Sequence, residues 1–273
     1  MRFGPTTIGE GTFPIIAGPC VMESEEHVLH MAQLLAEVRD RLGLALIFKT
    51  SFDKANRTSG ESYRGLGLDQ ALPIFRRIRD ETGLPLLTDV HAVDQPERLI
   101  GSVDVIQIPA FLSRQTDMLL AAARTGLTVN VKKGQFLSPW EIEHVVAKLK
   151  AGGCESFAVT ERGASFGYQN LVADMRAIPI MQSAGVPVIF DATHSAQLPG
   201  ALNGQTGGLR EFIPTVARAA VAAGCDGIFM EVHDDPDHAQ SDAATQWPFD
   251  RFESLVTDLL AFRNTYLEVR HRN

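Results

Sequence analysis

Residues 13–24 read FPIIAGPCVMES: a short apolar run, 13–18, ends in Gly-Pro-Cys, and an amphipathic run follows at once. Within 25–42, Val28, Met31, Leu34, Leu35, Val38 and Leu42 recur at helical spacing, and Gly43 stands where a helix stop belongs. A strand that turns straight into a helix is one βα unit. The alternative, a doubly wound open sheet, usually carries a Gly-rich dinucleotide turn after its first strand, and AGPCVMES is not one.

The unit recurs along the chain. Strand-like runs occupy 13–18, 44–50, 84–90, 103–109, 127–133, 156–162, 186–192 and 226–232. Each is short and apolar, with many β-branched residues, as expected of a parallel strand covered on both faces. Further helical patterns fall near 69–82, 94–100, 113–125, 139–151, 172–184, 209–223 and 249–263. Ser138-Pro139-Trp140-Glu141 opens one of them with a capping box and a proline in the first helical position. Eight βα units predict an α/β fold, the (β/α)8 TIM barrel. Residues 1–12 precede the first strand and are expected to cover the barrel bottom. No linker or low-complexity tract interrupts 1–273, so one domain is expected.

Composition narrows the function. Cys20, Cys154 and Cys225 are too few and too far apart for a disulfide framework, which points to a reduced compartment. No apolar run approaches the ~20 residues of a membrane span. The opening MRFGPTTIGEGTF lacks a signal-peptide core, so a cytoplasmic protein without a membrane partner is expected. The net charge of −8 argues against a general nucleic-acid binder. Clusters of Lys and Arg in such a chain are therefore candidates for holding a particular anion.

Polar residues sit at every strand end: Cys20, Lys49, Asp89 and His91, Gln107, Lys132 and Lys133, Glu161 and Arg162, Asp191 and His194, Glu231 and His233. A barrel gathers those ends on one face, where such enzymes place their chemistry. Exposed strand ends are ordinarily polar, which explains any one of them but not all eight. The long segments 50–67, 193–208 and 233–248 follow strands and exceed the usual loop length of about 12–15 residues. Lys49, Lys54, Arg57, Lys132 and Arg162 suggest a phosphate and a carboxylate as ligands. Lys133, adjacent to Lys132 on a strand, is expected to face the other way. A second set, Cys20, His194, Glu231 and Asp242, combines a thiol, an imidazole and two carboxylates from strands one, seven and eight and the last loop. Such a set suits a divalent Zn, Fe or Mn ion. The same Cys, His and acid also fit a nucleophilic cysteine, and buried cysteines are commonly inert.

The motifs AGPCVMES, FKTSFDKANRTS, TDVH, QIPAFLSRQTD, NVKKGQFLSPW, TERGASFGYQNL, FDATHSAQLPG and EVHDDPDHAQSDAATQ occur in this order over essentially the whole chain. On them the sequence resembles the 3-deoxy-D-manno-octulosonate 8-phosphate synthases. Related aromatic-pathway synthases share the barrel and AGPC but read differently where this chain has KANR. The resemblance implies condensation of phosphoenolpyruvate with D-arabinose 5-phosphate, a bacterial cytoplasmic location and a homo-oligomer, usually a tetramer. It also implies the metal-dependent class, which has Cys where metal-free members have Asn. Cys20, His194, Glu231 and Asp242 match its metal ligands.

By the same resemblance, Lys132, Arg162, Lys49 and Gln107 hold phosphoenolpyruvate, and Asn56, Arg57 and Thr58 hold the sugar phosphate. Arg114 reaches a neighbouring subunit's sugar phosphate. Lys54, Asp89 and His194 are the residues placed nearest the chemistry. The family run usually reads KANRSS; Thr58 replaces its first serine and keeps the hydroxyl. Two other functions fit the residues: condensation with a different aldose phosphate, such as erythrose 4-phosphate, and a non-catalytic anion-binding barrel.

Overall fold

The alternation of strand and helix closes into a ring. The computed structural model describes residues 2–9, 11–57, 59–202 and 205–270. Among them, eight parallel strands form the barrel: β1 (Ile15–Gly18), β2 (Leu46–Lys49), β3 (Leu86–Asp89), β4 (Val105–Ile108), β5 (Thr128–Lys132), β6 (Phe157–Glu161), β7 (Val188–Asp191) and β8 (Gly227–His233). Neighbours in sequence pair in order, and β8 pairs with both β7 and β1, which closes the sheet. Helices α1 (Glu25–Leu42), α2 (Leu68–Thr82), α3 (Gln95–Arg98), α4 (Thr116–Ala123), α5 (Ile142–Ala151), α6 (Ala177–Gln182), α7 (Ile213–Ala222) and α8 (Phe252–Arg270) follow the strands in turn. Each observed strand starts a residue or two inside its predicted run; only β8 extends past it, by one residue.

Side chains alternate in and out along each strand. Outward residues such as Ile15, Phe48, Val131 and Phe190 belong to the large core between strands and helices. Inward residues form layers. The lower layer is apolar: Ile16, Ile47, Leu87, Val105, Ala158, Ile189 and Phe229. Phe3 and Ile8 from the N-terminal segment pack into this same cluster. There a short hairpin pairs Arg2–Phe3 with Thr6–Thr7, and the Gly4 amide donates to Thr128 Oγ1 at 3.0 Å. The expected bottom cover is thus a hydrophobic plug. The layer above is polar and faces the C-terminal mouth.

The turn after β1 has a steric cause. A β-carbon on Gly18 would lie 2.0 Å from the Lys49 carbonyl oxygen, so only glycine lets β1 and β2 approach before Pro19 and Cys20. Ser24 then caps α1 by accepting from the His27 amide, and Gly43 ends it at φ +64°. The Ser138–Glu141 capping box is present, but its first turn is 3-10, and α5 begins at Ile142.

Helices α3 to α7 are all shorter than their patterns, α6 and α3 the most in proportion. The run 172–184 yields only the six residues of α6, because Leu171–Val172 pairs antiparallel with Ala164–Ser165. The run 94–100 yields only Gln95–Arg98. The segment 193–208, expected as loop, contains the antiparallel pair Gln197–Leu202 and Gln205–Gly208.

Phe3 is fully buried. Phe3→Ala should lower the unfolding free energy by about 3–5 kcal/mol, the usual cost of emptying an aromatic core site. The midpoint of urea denaturation measures it, and an unchanged midpoint would mean that the plug does not support the barrel.

Candidate active site

A cavity of about 590 Å³ opens at the C-terminal ends of the strands. Lys49, Asp89, Gln107, Lys132, Arg162, His194 and Glu231 line its depth, and Lys54, Asn56, Arg57 and Asp242 approach from the loops. Thr58 lies outside the described residues. Arg114 is exposed and outside this chain's cavity, with its carbonyl accepting from Lys148 Nζ at 3.0 Å. Lys133 faces away from the barrel interior, as its parity requires: its ammonium lies 3.6 Å from Glu161 Oε2 and donates to the carbonyls of Gly134, Leu137 and Gly163.

On one side of the cavity the second predicted set converges. One donor atom each of Cys20, Glu231 and Asp242 lies within 4.8 Å of the others. His194 Nε2 is 3.7 Å from Glu231 Oε2 and 3.6 Å from Asp242 Oδ2. Behind it, Asp191 Oδ2 lies 2.7 Å from Nδ1, a carboxylate–histidine contact that aims Nε2 at the cluster. Glu231 Oε2 is buried and without a hydrogen-bond partner among the described residues. A thiol, an imidazole and two carboxylates around an unpaired oxygen fit a divalent transition metal. Asp242 takes a left-handed φ of +49°, a conformation that aspartate tolerates better than most residues. The loop holding it is tied down: Cys20 Sγ lies 2.8 Å from Ser241 Oγ, and Gln246 joins the Cys20 amide to the Ser241 carbonyl. Burial, then the Glu231 charge, pushes the Cys20 thiol well up. A thiolate there, whether as nucleophile or as metal ligand, needs a cation beside it to offset that shift.

The other side is cationic. Lys49 Nζ donates to Glu231 Oε1 at 2.6 Å and to the Cys20 carbonyl at 2.9 Å. Lys132 pairs with Asp191 and lies 3.0 Å from the centroid of the Phe229 ring. Burial pushes Lys132 down to about 8, although Asp191 pulls the other way. Lys54 is held protonated: burial opposes its charge, but the carboxylates of Glu231, Asp89 and Asp242 around it prevail. Arg162 is buried; one amino group donates to Gln197 Oε1 at 2.8 Å, and Nη1 has no partner among the described residues. At the rim, Arg57 donates to the Tyr63 carbonyl at 3.0–3.1 Å.

Sequence reasoning missed the residues that orient this set. Thr160 donates to Asn130 Oδ1 at 2.9 Å, Asn130 to Gln107 Oε1 at 2.8 Å, and Gln107 to Asp89 Oδ1 at 2.8 Å. Ser51 donates to the other Asp89 oxygen and accepts from Lys54 at 2.9 Å. From Thr160 to Asp89 the chain runs one way across four strands, β6 to β3, and fixes which end of each amide faces the cavity; Ser51 donates to Asp89 from the other side. Burial raises the Asp89 carboxyl, but Lys49 and Lys54 outweigh it and keep Asp89 ionised. The sequence likewise marks Asp191 only as a strand end, whereas it joins Lys132 to His194.

The chain that forms this closed barrel, with a cationic wall beside a four-donor cluster, belongs to the DAHP synthetase I family of synthases, which it matches over residues 4–263. Three similar relatives carry one name. A 2-dehydro-3-deoxyphosphooctonate aldolase of Nitrobacter winogradskyi is 58% identical over 261 residues, 95% of this chain and 91% of that protein. A protein of the same name from Rhodopseudomonas palustris is 59% identical over 249 residues, 91% and 87% of the two chains. Another from Caulobacter vibrioides is 56% identical over 259 residues, 94% and 90%.

The hydrogen-bond chain predicts a contrast between two buried threonines. Thr160→Val should cost ~1–3 kcal/mol, because it strands Asn130 Oδ1. Thr88 Oγ1 is buried without a partner among the described residues, so Thr88→Val should be neutral or stabilising. Chemical denaturation of both variants reads the difference, and equal effects would refute the chain.

Proposed function

We infer that the protein condenses phosphoenolpyruvate with D-arabinose 5-phosphate, giving 3-deoxy-D-manno-octulosonate 8-phosphate and inorganic phosphate. Identity of 56–59% to the named aldolases over nine-tenths of the chain carries this reading. The intact set of cavity residues speaks against a barrel that only binds anions.

The residues fit the chemistry as follows. Lys132, Arg162, Lys49 and Gln107 hold the phosphate and carboxylate of phosphoenolpyruvate, with the free Arg162 Nη1 as a donor ready for it. Asn56, Arg57 and Thr58 hold the sugar phosphate at the rim. The enol C2=C3 pair attacks the aldehyde carbon, and the new C3–C1 bond leaves an alkoxide that takes a proton. Water adds at C2, and the C2–O bond breaks to release phosphate. Lys54 and Asp89 stand between the two anion sites and balance the moving charge, which is electrostatic catalysis by fixed groups. Cys20, His194, Glu231 and Asp242 would hold a divalent Zn, Fe or Mn ion, which supplies Lewis acidity or orientation when bound.

The same reading takes 1–273 as one domain working in the bacterial cytoplasm; no helix among the described residues is long and apolar enough to cross a membrane. It also makes the protein a homo-oligomer, a tetramer by its resemblance. Phe111, Phe136, Trp140, Phe166 and Tyr168 are exposed in loops after β4, β5 and β6, and the Ser165 amide joins two of these loops through the Gln135 carbonyl at 2.9 Å. A second copy on this aromatic face would cover it and bring Arg114 toward a neighbouring cavity.

Phosphate release with phosphoenolpyruvate should be fast with arabinose 5-phosphate and slow with erythrose 4-phosphate; the reverse order would overturn the substrate assignment. Prolonged chelation should abolish the turnover, and Mn²⁺, Zn²⁺ or Fe²⁺ should restore part of it. Full activity in a metal-free sample would remove the metal and leave the synthase.

Lys132 sets the pH response. A lysine depressed to about 8 is charged below that pH and loses its proton above it. The KM for phosphoenolpyruvate should be flat near neutrality and rise about tenfold per unit above pH 8, with a smaller effect on kcat, since bound substrate keeps the lysine charged. A KM unchanged to pH 9.5 would take Lys132 out of the phosphoenolpyruvate site.

A further inference from the structure

His233 ends β8 but does not line the cavity. It turns to the outer rim, where Glu23 and His27 meet it. We propose that Glu23, His27 and His233 form a second divalent transition-metal site, separate from the Cys20 cluster, at the start of α1.

One donor atom from each of the three lies within 4.8 Å of the others. His233 Nε2 is 3.3 Å from Glu23 Oε1, and the two imidazole rings have centroids 4.5 Å apart. Two imidazoles and a carboxylate are a sufficient protein ligand set for Zn²⁺ or a similar ion, with water in the remaining position. A shallow surface groove lined by Ser24, His27, His30 and Asp234 supplies that water and a path for the ion.

One tautomer is set for it. Asp234 Oδ1 is 3.0 Å from His27 Nε2 and 3.1 Å from His233 Nδ1. A carboxylate only accepts, so it places the His27 proton on Nε2 and leaves the Nδ1 lone pair free. On His233, Nδ1 accepts from the Asp235 amide and Nε2–H faces Glu23 Oε1. His27 Nδ1 is buried and has no hydrogen-bond partner among the described residues, an otherwise costly arrangement. An ion at His233 Nε2 would take the place of the proton there, which moves to Nδ1 opposite Asp234 Oδ1, while the Asp235 amide, now donating to Nδ1 at 2.9 Å, turns to its second acceptor, the same oxygen at 3.1 Å. One aspartate behind two histidines is the outer-shell support that metal-binding imidazoles usually have.

The site also has a mechanical consequence. Glu23 Oε1 accepts from the Gln240 amide at 2.8 Å, two residues before Asp242. An ion on Glu23 would fasten the loop that carries Asp242 to the start of α1.

The test titrates the full-length, metal-stripped protein with Co²⁺ alone. The wild type should bind two equivalents per chain: one with the near-ultraviolet thiolate charge-transfer band of a cysteine ligand, and one with ligand-field absorption only. His27→Ala should lose the second equivalent and keep the thiolate band. Cys20→Ala should lose the band and keep the second equivalent. In the Cys20→Ala background, Zn²⁺ should raise the melting temperature, and a further His27→Gln should abolish that rise. A single equivalent in the wild type that carries the thiolate band, or a His27→Ala protein that binds as many ions as the wild type, would overturn the proposal. Loss of the thiolate band alone would instead count against Cys20 as a ligand and leave the second site standing.

Discussion

His194 stands between two buried carboxylates, and each of these also holds a lysine. Asp191 contacts Nδ1 and pairs with Lys132; Glu231 faces Nε2 and pairs with Lys49. Buried ions are tolerable only when paired and hydrogen-bonded, so no member of this array can be removed without stranding another. The balance extends across the mouth. Lys49, Lys54, Lys132 and Arg162 face Asp89, Asp191, Glu231 and Asp242, four charges of each sign. Substrates carrying two phosphates and a carboxylate would enter a site already neutralised by itself. Arg57 at the rim and a dication on the four-donor cluster are the sources of positive charge that the arrangement still admits. The dication would also reverse the local effect on Cys20, whose thiol is kept protonated by burial and by the Glu231 charge.

The apolar layer below makes these pairs strong. Phe229 lies in the lower cluster and under Lys132, so the ammonium rests on a ring and not on water. Among the described residues, Phe3 and Ile8 close the bottom and the ion array opens into the cavity at the mouth. In that environment a charge pair is worth more than at a surface, and an unpaired one costs more. The hydrophobic plug at the far end of the barrel and the electrostatics of the mouth are therefore one design. The directional chain from Thr160 to Asp89 serves the same end, since it holds the anionic wall with neutral groups and adds no further charge.

Much of this was legible in the sequence for a simple reason. Strands buried on both faces must be short apolar runs, and a closed barrel puts all their ends together. Lys49, Asp89, Gln107, Lys132 and Glu231 could thus be placed before any coordinates. Parity also placed Lys133 outside. The same parity marks Thr128, Asn130 and Lys132 as inward residues of TVNVK, so Asn130 could have been found from the alternation alone. Asp242 has no such parity: it sits in a long loop at a left-handed φ, and only its residue type and the loop after β8 join it to the donor set. The hairpin within 197–208 was hidden because its Gly, Pro and Gln residues carry no strand pattern. Thr58 belongs to the predicted sugar-phosphate set and lies outside the described residues.

The run from Gly18 to His27 explains why so short a segment holds so many polar side chains. Gly18 is forced by the carbonyl of Lys49, and the Pro-Cys that follows leaves the strand at the mouth with Cys20 aimed at Ser241 and Asp242. Met22 is fully buried and anchors the turn in the core. Glu23 then points to the rim, and Ser24 caps the helix whose first turn presents His27. Every one of these side chains except Met22 meets the segment that ends β8 or the loop beyond it, or positions a residue that does. Since β1 and β8 are hydrogen-bonded neighbours, the closure of the barrel is what brings residues more than 200 positions apart into contact. The strand pairing that completes the fold and the convergence of both donor clusters are consequences of the same seam.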